Sequence, residues 1–192
     1  MTKSKKKIMD NKKRIISLLE STEREGIEGL VNWLSESDFF EAPASTRPDY
    51  HGAHEGGLAQ HCLNVYDAFN AKAEQYSFDI APEEIAIASI LHDLCKVSTY
   101  HPNILKSGNL SQSKPYVVED SFPFGHGEKS AYLAAKFIDL TPKEALLIRW
   151  HMGPFDSEWE NYENRVSAAC PEVYAFHTAD QEASKYMDMK KK

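Results

Sequence analysis

The chain has 192 residues, 42% hydrophobic and 11% aromatic, which is enough to bury the core of one folded domain and argues against disorder. The net charge of −7 is unevenly distributed along the chain. Ten of the 22 Lys and Arg residues and one of the 29 acidic residues lie in residues 3–14 and 190–192, which leaves the rest at about −16. This acidic body argues against binding of long nucleic acid, since such binding depends on Lys and Arg at the phosphates.

The spacing of apolar residues predicts helices along most of the chain. In chain order these helices cover residues 7–21, 27–37, 57–76, 82–97, 127–140, 142–152 and 171–187. The start of the sixth helix has the clearest signal. Thr141 suits the N-cap, Pro142 suits the first helical position, and Glu144 completes a capping box.

Two segments break this helical rhythm. Residues 41–55 contain two prolines and a glycine, which predicts a structured loop. Residues 104–120 combine a turn sequence at 106–109 with a β-like run at 115–118, which predicts a small β-hairpin or flap. We therefore expect an all-α fold, a single compact helical bundle with one hairpin, since the chain lacks the strand alternation of a parallel α/β sheet.

The predicted organisation has three parts. Residues 1–40 form N-terminal helices that pack on the main domain and begin with a basic, frayed start. Residues 41–188 form the main domain, and residues 189–192 form a basic tail. No apolar stretch approaches the roughly 20 residues that span a bilayer, and the basic start lacks a signal core. We expect a cytoplasmic protein without a membrane partner.

The three cysteines, Cys62, Cys95 and Cys170, form no C-x-x-C pair. Reduced thiols that act as small packing residues are the prediction for all three, rather than ligands or nucleophiles.

His92 and Asp93 lie inside the apolar run 87–94, where a charge is tolerated mainly when it is paired or coordinates a metal. Further His and Asp residues recur beside predicted helices, and each step of 25 to 33 residues adds another helix. They are His61, His126, His151 and Asp180. Helical proteins build metal sites from such ligands on several helices. Nitrogen and oxygen donors suit Fe, Mn, Co, Ni or Zn.

In this order the residues resemble the HD superfamily of metal-dependent phosphohydrolases, in its two-metal form. The resemblance covers about residues 40–190. Its local signatures are GGLAQH at 56–61, LHDLCK at 91–96, HGEKS at 126–130, RWH at 149–151 and HTAD at 177–180. It implies a bundle of HD-domain type with two divalent metal ions, for which Fe, Mn, Co or Ni is expected over Zn or Mg.

The resemblance also implies ligand roles. The first metal would be held by His61, His92, Asp93 and Asp180. Asp93 would bridge to the second metal, which His126 and His151 complete. Asp93 would also orient the attacking water and so act as a catalytic residue.

The resemblance also suggests which residues contact the substrate, and for some of them a second interpretation is open. Lys96 is expected at the substrate phosphate as a catalytic and binding residue, because it lies one helical turn after His92. Lys129 is either a phosphate contact or a solvated helix lysine. Arg149 either clamps a phosphate or forms an ion pair on its helix. His51 and His54 either border the substrate pocket, where they could donate a proton to the leaving group, or are surface histidines of the loop.

The activity expected from the resemblance is hydrolysis of a phosphomonoester or phosphodiester of a small molecule, foremost a nucleotide, through a metal-activated bridging water. Alternatives stay open. One is a mixed-valent di-iron oxygenase of the same superfamily. Another is an exoribonuclease-like HD phosphodiesterase, since residues 57–61 and 91–96 resemble such enzymes. A third is a module that binds a nucleotide without turnover.

Overall fold

A computed structural model describes residues 2–188, so the predicted basic tail at 189–192 lies outside the described residues. Within that range the chain forms eight α-helices and one two-stranded hairpin. The helices are α1 Lys3–Glu20, α2 Ile27–Glu36, α3 Gly57–Tyr76, α4 Pro82–Leu91, α5 His126–Ala135, α6 Pro142–Trp150, α7 Trp159–Ala169 and α8 Glu172–Glu182. The all-α prediction is confirmed. None of these helices is long and apolar enough to cross a membrane.

Helix α3 is the centre of the bundle. It packs against α1, α4 and α8 and buries Leu58, Val65 and Phe69. Helix α4 is buried along its whole second half, and it connects α3 to the pair formed by α5 and α6. One hydrophobic core includes residues of α1 and α2 such as Ile15 and Leu34. The N-terminal helices thus pack on the rest, whereas the boundary at residue 40 stays a prediction.

The helix predicted over residues 82–97 is shorter in the structure. Helix α4 ends at Leu91, and Asp93 has φ −107° and ψ 20°, outside the helical region. A 3-10 turn follows at Leu94–Lys96, and Ser98 has a left-handed φ of 54°. The polar cluster that surrounds Asp93 thus coincides with a break in the helix that apolar spacing did not reveal.

Other helices also differ from the prediction, and α1 begins at Lys3 rather than at residue 7. Helix α5 ends at Ala135 rather than near residue 140. Helix α8 ends at Glu182 and continues as a π turn, Ala183–Met187. Helix α7 was not predicted, because it is largely polar and buries only Trp159 and Val166. The capping box at Thr141 and Glu144 is confirmed.

The predicted hairpin is confirmed. Strand β1, Tyr100–Pro102, pairs antiparallel with β2, Tyr116–Val118, and a bridge joins Ile104 to Leu110. Gly108 occupies the turn with φ +81°, a conformation that glycine adopts without strain. The hairpin follows α4 and precedes α5 and, as described below, supplies one wall of a cleft.

Candidate metal centre

The six side chains predicted as metal ligands lie together at the centre of the bundle, although they come from five parts of the chain. Their positions are His61 in α3, His92 and Asp93 just after α4, His126 at the start of α5, His151 just after α6, and Asp180 in α8. Five of these residues are buried, and the side chain of His126 is 36% exposed. Helix ends therefore supply most of the cluster.

A glycine lets two of these helix ends meet. Gly127 follows His126 directly, and a Cβ atom at this position would lie 2.0 Å from the carbonyl oxygen of Arg149. The start of α5 therefore lies against the end of α6. This close approach brings the rings of His126 and His151 to a centroid distance of 5.1 Å.

The carboxylate of Asp93 lies between two groups of imidazoles. Its Oδ2 atom is 3.5 Å from His61 Nε2 and 3.4 Å from His92 Nε2. Its Oδ1 atom is 2.9 Å from His126 Nε2 and 3.8 Å from His151 Nε2. Each oxygen of Asp93 thus faces a different pair of histidines, as a carboxylate shared by two ions would.

Asp180 adds a second carboxylate to the first of these groups. Its Oδ1 atom lies 3.1 Å from His61 Nε2, and Asp180 is buried. His61, His92 and Asp180 can contribute one ligand atom each within a mutual distance of 4.8 Å. These three side chains, with Asp93 Oδ2, could hold one ion.

Backbone carbonyls fix the orientation of two histidine rings. His92 Nδ1 donates to the carbonyl of Ser89 at 2.9 Å, and His151 Nδ1 donates to the carbonyl of Ile148 at 2.8 Å. A carbonyl can only accept, so the proton of each neutral ring is assigned to Nδ1 and Nε2 keeps a free electron pair. Both Nε2 atoms are therefore in the form that binds a metal.

The contact between the imidazole rings of His61 and His92 bears on whether a cation fits the site. His61 Nδ1 donates to Asp188 Oδ2 at 2.7 Å, and the Nε2 atoms of His61 and His92 face each other at 3.3 Å. His61 and His92 cannot both direct an electron pair at this buried point unless a cation, either a proton on His61 or a metal ion, lies between them. The donor set is therefore chemically suited to a divalent metal ion bound by nitrogen and oxygen.

The two central carboxylates are ionised. Burial by itself raises the pKa of Asp93, but the positive charge of Lys96, with the contacts from His92 and His126, more than compensates and holds it well below its usual range. The ammonium of Lys96 lies 2.6 Å from Asp93 Oδ2. Burial likewise raises the pKa of Asp180, and the hydrogen bond from His61 lowers it further than burial raises it. Both groups are acceptors at neutral pH.

The histidines fall into two electrostatic types. Burial lowers the pKa of His61, but its hydrogen bonds to Asp180 and Asp188 raise it to about 9. His126 has a pKa of about 10, because its bond to Asp93 outweighs burial. Burial lowers the pKa of His151 to about 3. His61 and His126 are thus the rings on which a metal ion must compete with a proton.

A cleft of about 290 Å³ opens beside the Asp93 and His126 side of the cluster. Helical residues and the hairpin segment line it. They include Cys95, Lys96, His126 and Lys129 from the helical side, and Val118, Asp120 and Pro123 from the hairpin side. Lys129 Nζ donates to Asp120 Oδ1 at 2.6 Å. The structure therefore places Lys96 and Lys129 where an anion in the cleft could reach them.

Arg149 does not line this cleft. Its guanidinium is 2.5 Å from Glu128 and 2.7 Å from Asp156, and it lies over the ring of Trp150. These partners match the ion-pair alternative for Arg149, while its role at a substrate phosphate stays a prediction.

The two loop histidines occupy different surroundings. His54 is exposed and borders a small depression with Lys7 of α1. His51 lies beside His61 at a ring-centroid distance of 4.8 Å, and its buried Nε2 atom has no hydrogen-bond partner within residues 2–188. Burial, followed by the neighbouring His61, lowers the pKa of His51 to about 3. Neither histidine lines the cleft, and their contacts to a substrate stay predictions.

Two residues at the cluster were not predicted to belong to it. Cys95 was assigned to packing, yet its Sγ atom lies 3.3 Å from His126 Nδ1 and it lines the cleft. Its place two residues after Asp93 was a usable signal. Asp188 accepts the hydrogen bond of His61, and nothing in its polar sequence neighbourhood distinguished it from a surface carboxylate.

A helical bundle with a buried, convergent set of histidine and aspartate side chains is typical of a metal-binding protein. A model of the HD domain family matches residues 58–184, which is more than half of the chain. The chain therefore belongs to the HD domain family, and the resemblance found in the sequence is confirmed. Searches among curated proteins and among solved structures gave no match.

Membership has two consequences. HD domain proteins bind divalent metals, and the domain indicates activity of the metal-dependent phosphohydrolase type. The matched range contains the six clustered side chains from His61 to Asp180, whereas α1, α2 and Asp188 lie outside it.

Proposed function

We propose that the protein hydrolyses a phosphomonoester or phosphodiester of a small molecule, foremost a nucleotide, with two divalent metal ions. His61, His92, Asp93 and Asp180 would hold the first ion. Asp93, His126 and His151 would hold the second. Free cysteines at all three positions agree with a location in the cytoplasm, which is part of the same proposal.

One observation carries the proposal, namely the position of the Asp93 carboxylate. Its Oδ2 atom faces His61 and His92, and its Oδ1 atom faces His126. A carboxylate that merely formed one buried ion pair would need only one of these groups. Two bound ions would supply Lewis-acid chemistry, in which a water is activated at neutral pH and charge on a phosphate is offset.

The residues around the cleft account for recognition of phosphate. Lys96 and Lys129 bring two ammonium groups to a cleft on an otherwise acidic protein. Ammonium groups bind phosphate oxygens as point charges. Lys96 also keeps Asp93 ionised, so that Asp93 can accept a hydrogen bond from a water and direct that water at the phosphorus.

The rim of the cleft favours a substrate with a planar group. Phe122 and Phe124 flank Pro123, which lines the cleft, and their exposed rings stack at 5.3 Å with an interplanar angle of 12°. Exposed aromatic rings bind nucleic-acid bases by stacking. A nucleotide could therefore place its phosphate near Lys96 and its base near these rings.

The test begins with elemental analysis of protein purified without chelator. Phosphate release is then measured over a panel of nucleotides and other small phosphate esters, with Mn²⁺, Fe²⁺, Co²⁺ or Ni²⁺, in the absence of oxygen. We expect metal near two equivalents and release of phosphate that Asp93→Ala abolishes. Lys106→Ala, which changes an exposed lysine in the hairpin turn, is the control and should leave turnover unchanged.

The alternatives give different results in the same experiment. A nucleotide that binds tightly without turnover under every metal would support a binding module. Iron with consumption of oxygen, and no anaerobic release of phosphate, would support an oxygenase. Either result would overturn the proposed hydrolysis.

A further inference from the structure

We propose that Asp188 is a positioning residue for the metal centre, which acts by orienting the imidazole of His61. The inference rests on the proposed function, since it concerns how that centre is held. Asp188 follows the π turn at Ala183–Met187, and its side chain is only 2% exposed. It lies beyond residue 184, where the match to the HD domain family ends.

Both oxygens of Asp188 have directed partners. Oδ2 accepts from His61 Nδ1 at 2.7 Å, and Oδ1 accepts from Asn64 Nδ2 at 2.5 Å. His61 and Asn64 are neighbours on one face of α3, so the carboxylate joins the end of the described chain to the helix at the centre of the bundle. A group held at both oxygens has little freedom to turn, and the ring bound to it is fixed as well.

The contact from Asn64 belongs to a longer chain of hydrogen bonds. Asn11 Nδ2 in α1 donates to Gln60 Oε1 at 3.2 Å, and Gln60 Nε2 donates to Asn64 Oδ1 at 2.9 Å. Asn64 then donates to Asp188. A carboxylate only accepts, so Asp188 determines which way each amide in this chain points. We call these four residues, Asn11, Gln60, Asn64 and Asp188, the amide relay.

Asp188, at the end of the amide relay, binds His61 at Nδ1, the ring nitrogen that does not face the other candidate ligands. Because Nδ1 donates to Asp188, the neutral form of the ring keeps its electron pair on Nε2, which faces His92 Nε2 at 3.3 Å. A carboxylate behind a histidine ligand fixes its tautomer and makes the ring a better donor. Loss of such a partner lowers metal affinity by about 10- to 100-fold.

The experiment measures binding of Mn²⁺ by isothermal titration calorimetry, without substrate. We expect Asp188→Ala to weaken the affinity by about 10- to 100-fold while the protein stays folded by circular dichroism. Glu182→Gln is the matched control, because Glu182 lies near the end of α8 and pairs with Lys72 rather than with a histidine. Its affinity should equal that of wild type.

A second substitution that restores the hydrogen bond to His61 distinguishes loss of positioning by Asp188 from loss of structure. Asp188→Asn keeps the shape but removes the negative charge behind His61. Its NH₂ group faces either the donor His61 or Asn64, and the second choice requires every amide of the relay to reverse. We expect this variant to lose affinity for Mn²⁺. Adding Asn64→Asp supplies an acceptor for Gln60 and for the new amide, whose oxygen can again accept from His61. We expect the double variant to recover most of the lost affinity.

Nuclear magnetic resonance of the histidine side chains gives an independent readout. Once neutral, the His61 ring should carry its remaining proton on Nδ1 in wild type and in Glu182→Gln, and should lose that preference in Asp188→Ala. Wild-type affinity in Asp188→Ala, or a double variant no tighter than Asp188→Asn, would overturn the role of Asp188 and leave the proposed hydrolysis standing. Absence of Mn²⁺ binding by wild type would overturn both.

Discussion

Gly127→Ala tests how the two helix ends at the centre are brought together. A Cβ atom at residue 127 would lie 2.0 Å from the carbonyl oxygen of Arg149, and Cβ atoms do not approach other atoms closer than 3.0 Å. Since the obstacle is backbone, α5 and α6 must move apart by about 1 Å. Overpacking of this kind costs about 1–3 kcal/mol.

The displacement acts on the candidate ligands as well as on stability. His126 precedes Gly127, and its Nε2 atom lies only 2.9 Å from Asp93 Oδ1. A shift of about 1 Å in a catalytic group can reduce a rate by on the order of 100-fold. For a domain of this size, the stability cost corresponds to a fall in Tm of roughly 2–12 °C.

Calorimetry, metal content and phosphate release together measure these effects. Gly29→Ala is the control, because Gly29 is an exposed helical glycine whose added Cβ would be 3.8 Å from its nearest neighbour, Phe137. That change should raise stability by about 0.5–1 kcal/mol through the lower entropy of the unfolded chain. A Gly127→Ala protein that keeps the Tm and the metal content of wild type would contradict the close approach of α5 to α6.

Three further predictions concern the centre itself. Asp93→Ala should abolish binding of the second metal and turnover together, and near-normal turnover of the folded variant would contradict the bridging role. Lys96→Ala should weaken turnover of phosphate substrates with metal content unchanged, and a loss of metal as large as in Asp93→Ala would mean that Lys96 is wrongly assigned. Metal affinity should rise with pH, because His61 and His126, with pKa values of about 9 and about 10, must release protons before a metal binds. Titrations between pH 6.5 and 8.5 in buffers of different ionisation enthalpy would count those protons, and an affinity independent of pH would contradict the assignment.

Local signals in the sequence were sufficient for several elements of the fold. The capping box at Thr141 and Glu144 lies within four residues, and both of its hydrogen bonds form in the structure. The hairpin turn at residues 106–109 is similarly local. Such features depend on neighbours in the chain, and the sequence therefore carries them directly.

Features that depend on distant contacts were harder to predict. The break after Leu91 coincides with Asp93, whose partners include His126 and Lys96, and apolar spacing alone extended the helix through it. The clustered residues could be proposed because their order resembles a known family. The orientation of their rings, and the contact from Asp188, required the three-dimensional arrangement.

The contact between His61 and Asp188 joins residues 127 positions apart. During synthesis, α3 leaves the ribosome long before the segment that orients its histidine. A nascent chain that has reached only residue 100 offers His61, His92 and Asp93 without their later partners, so it captures ions more weakly than the finished protein. The complete centre can therefore form only after α8 and Asp188 have been synthesised and have packed against α3.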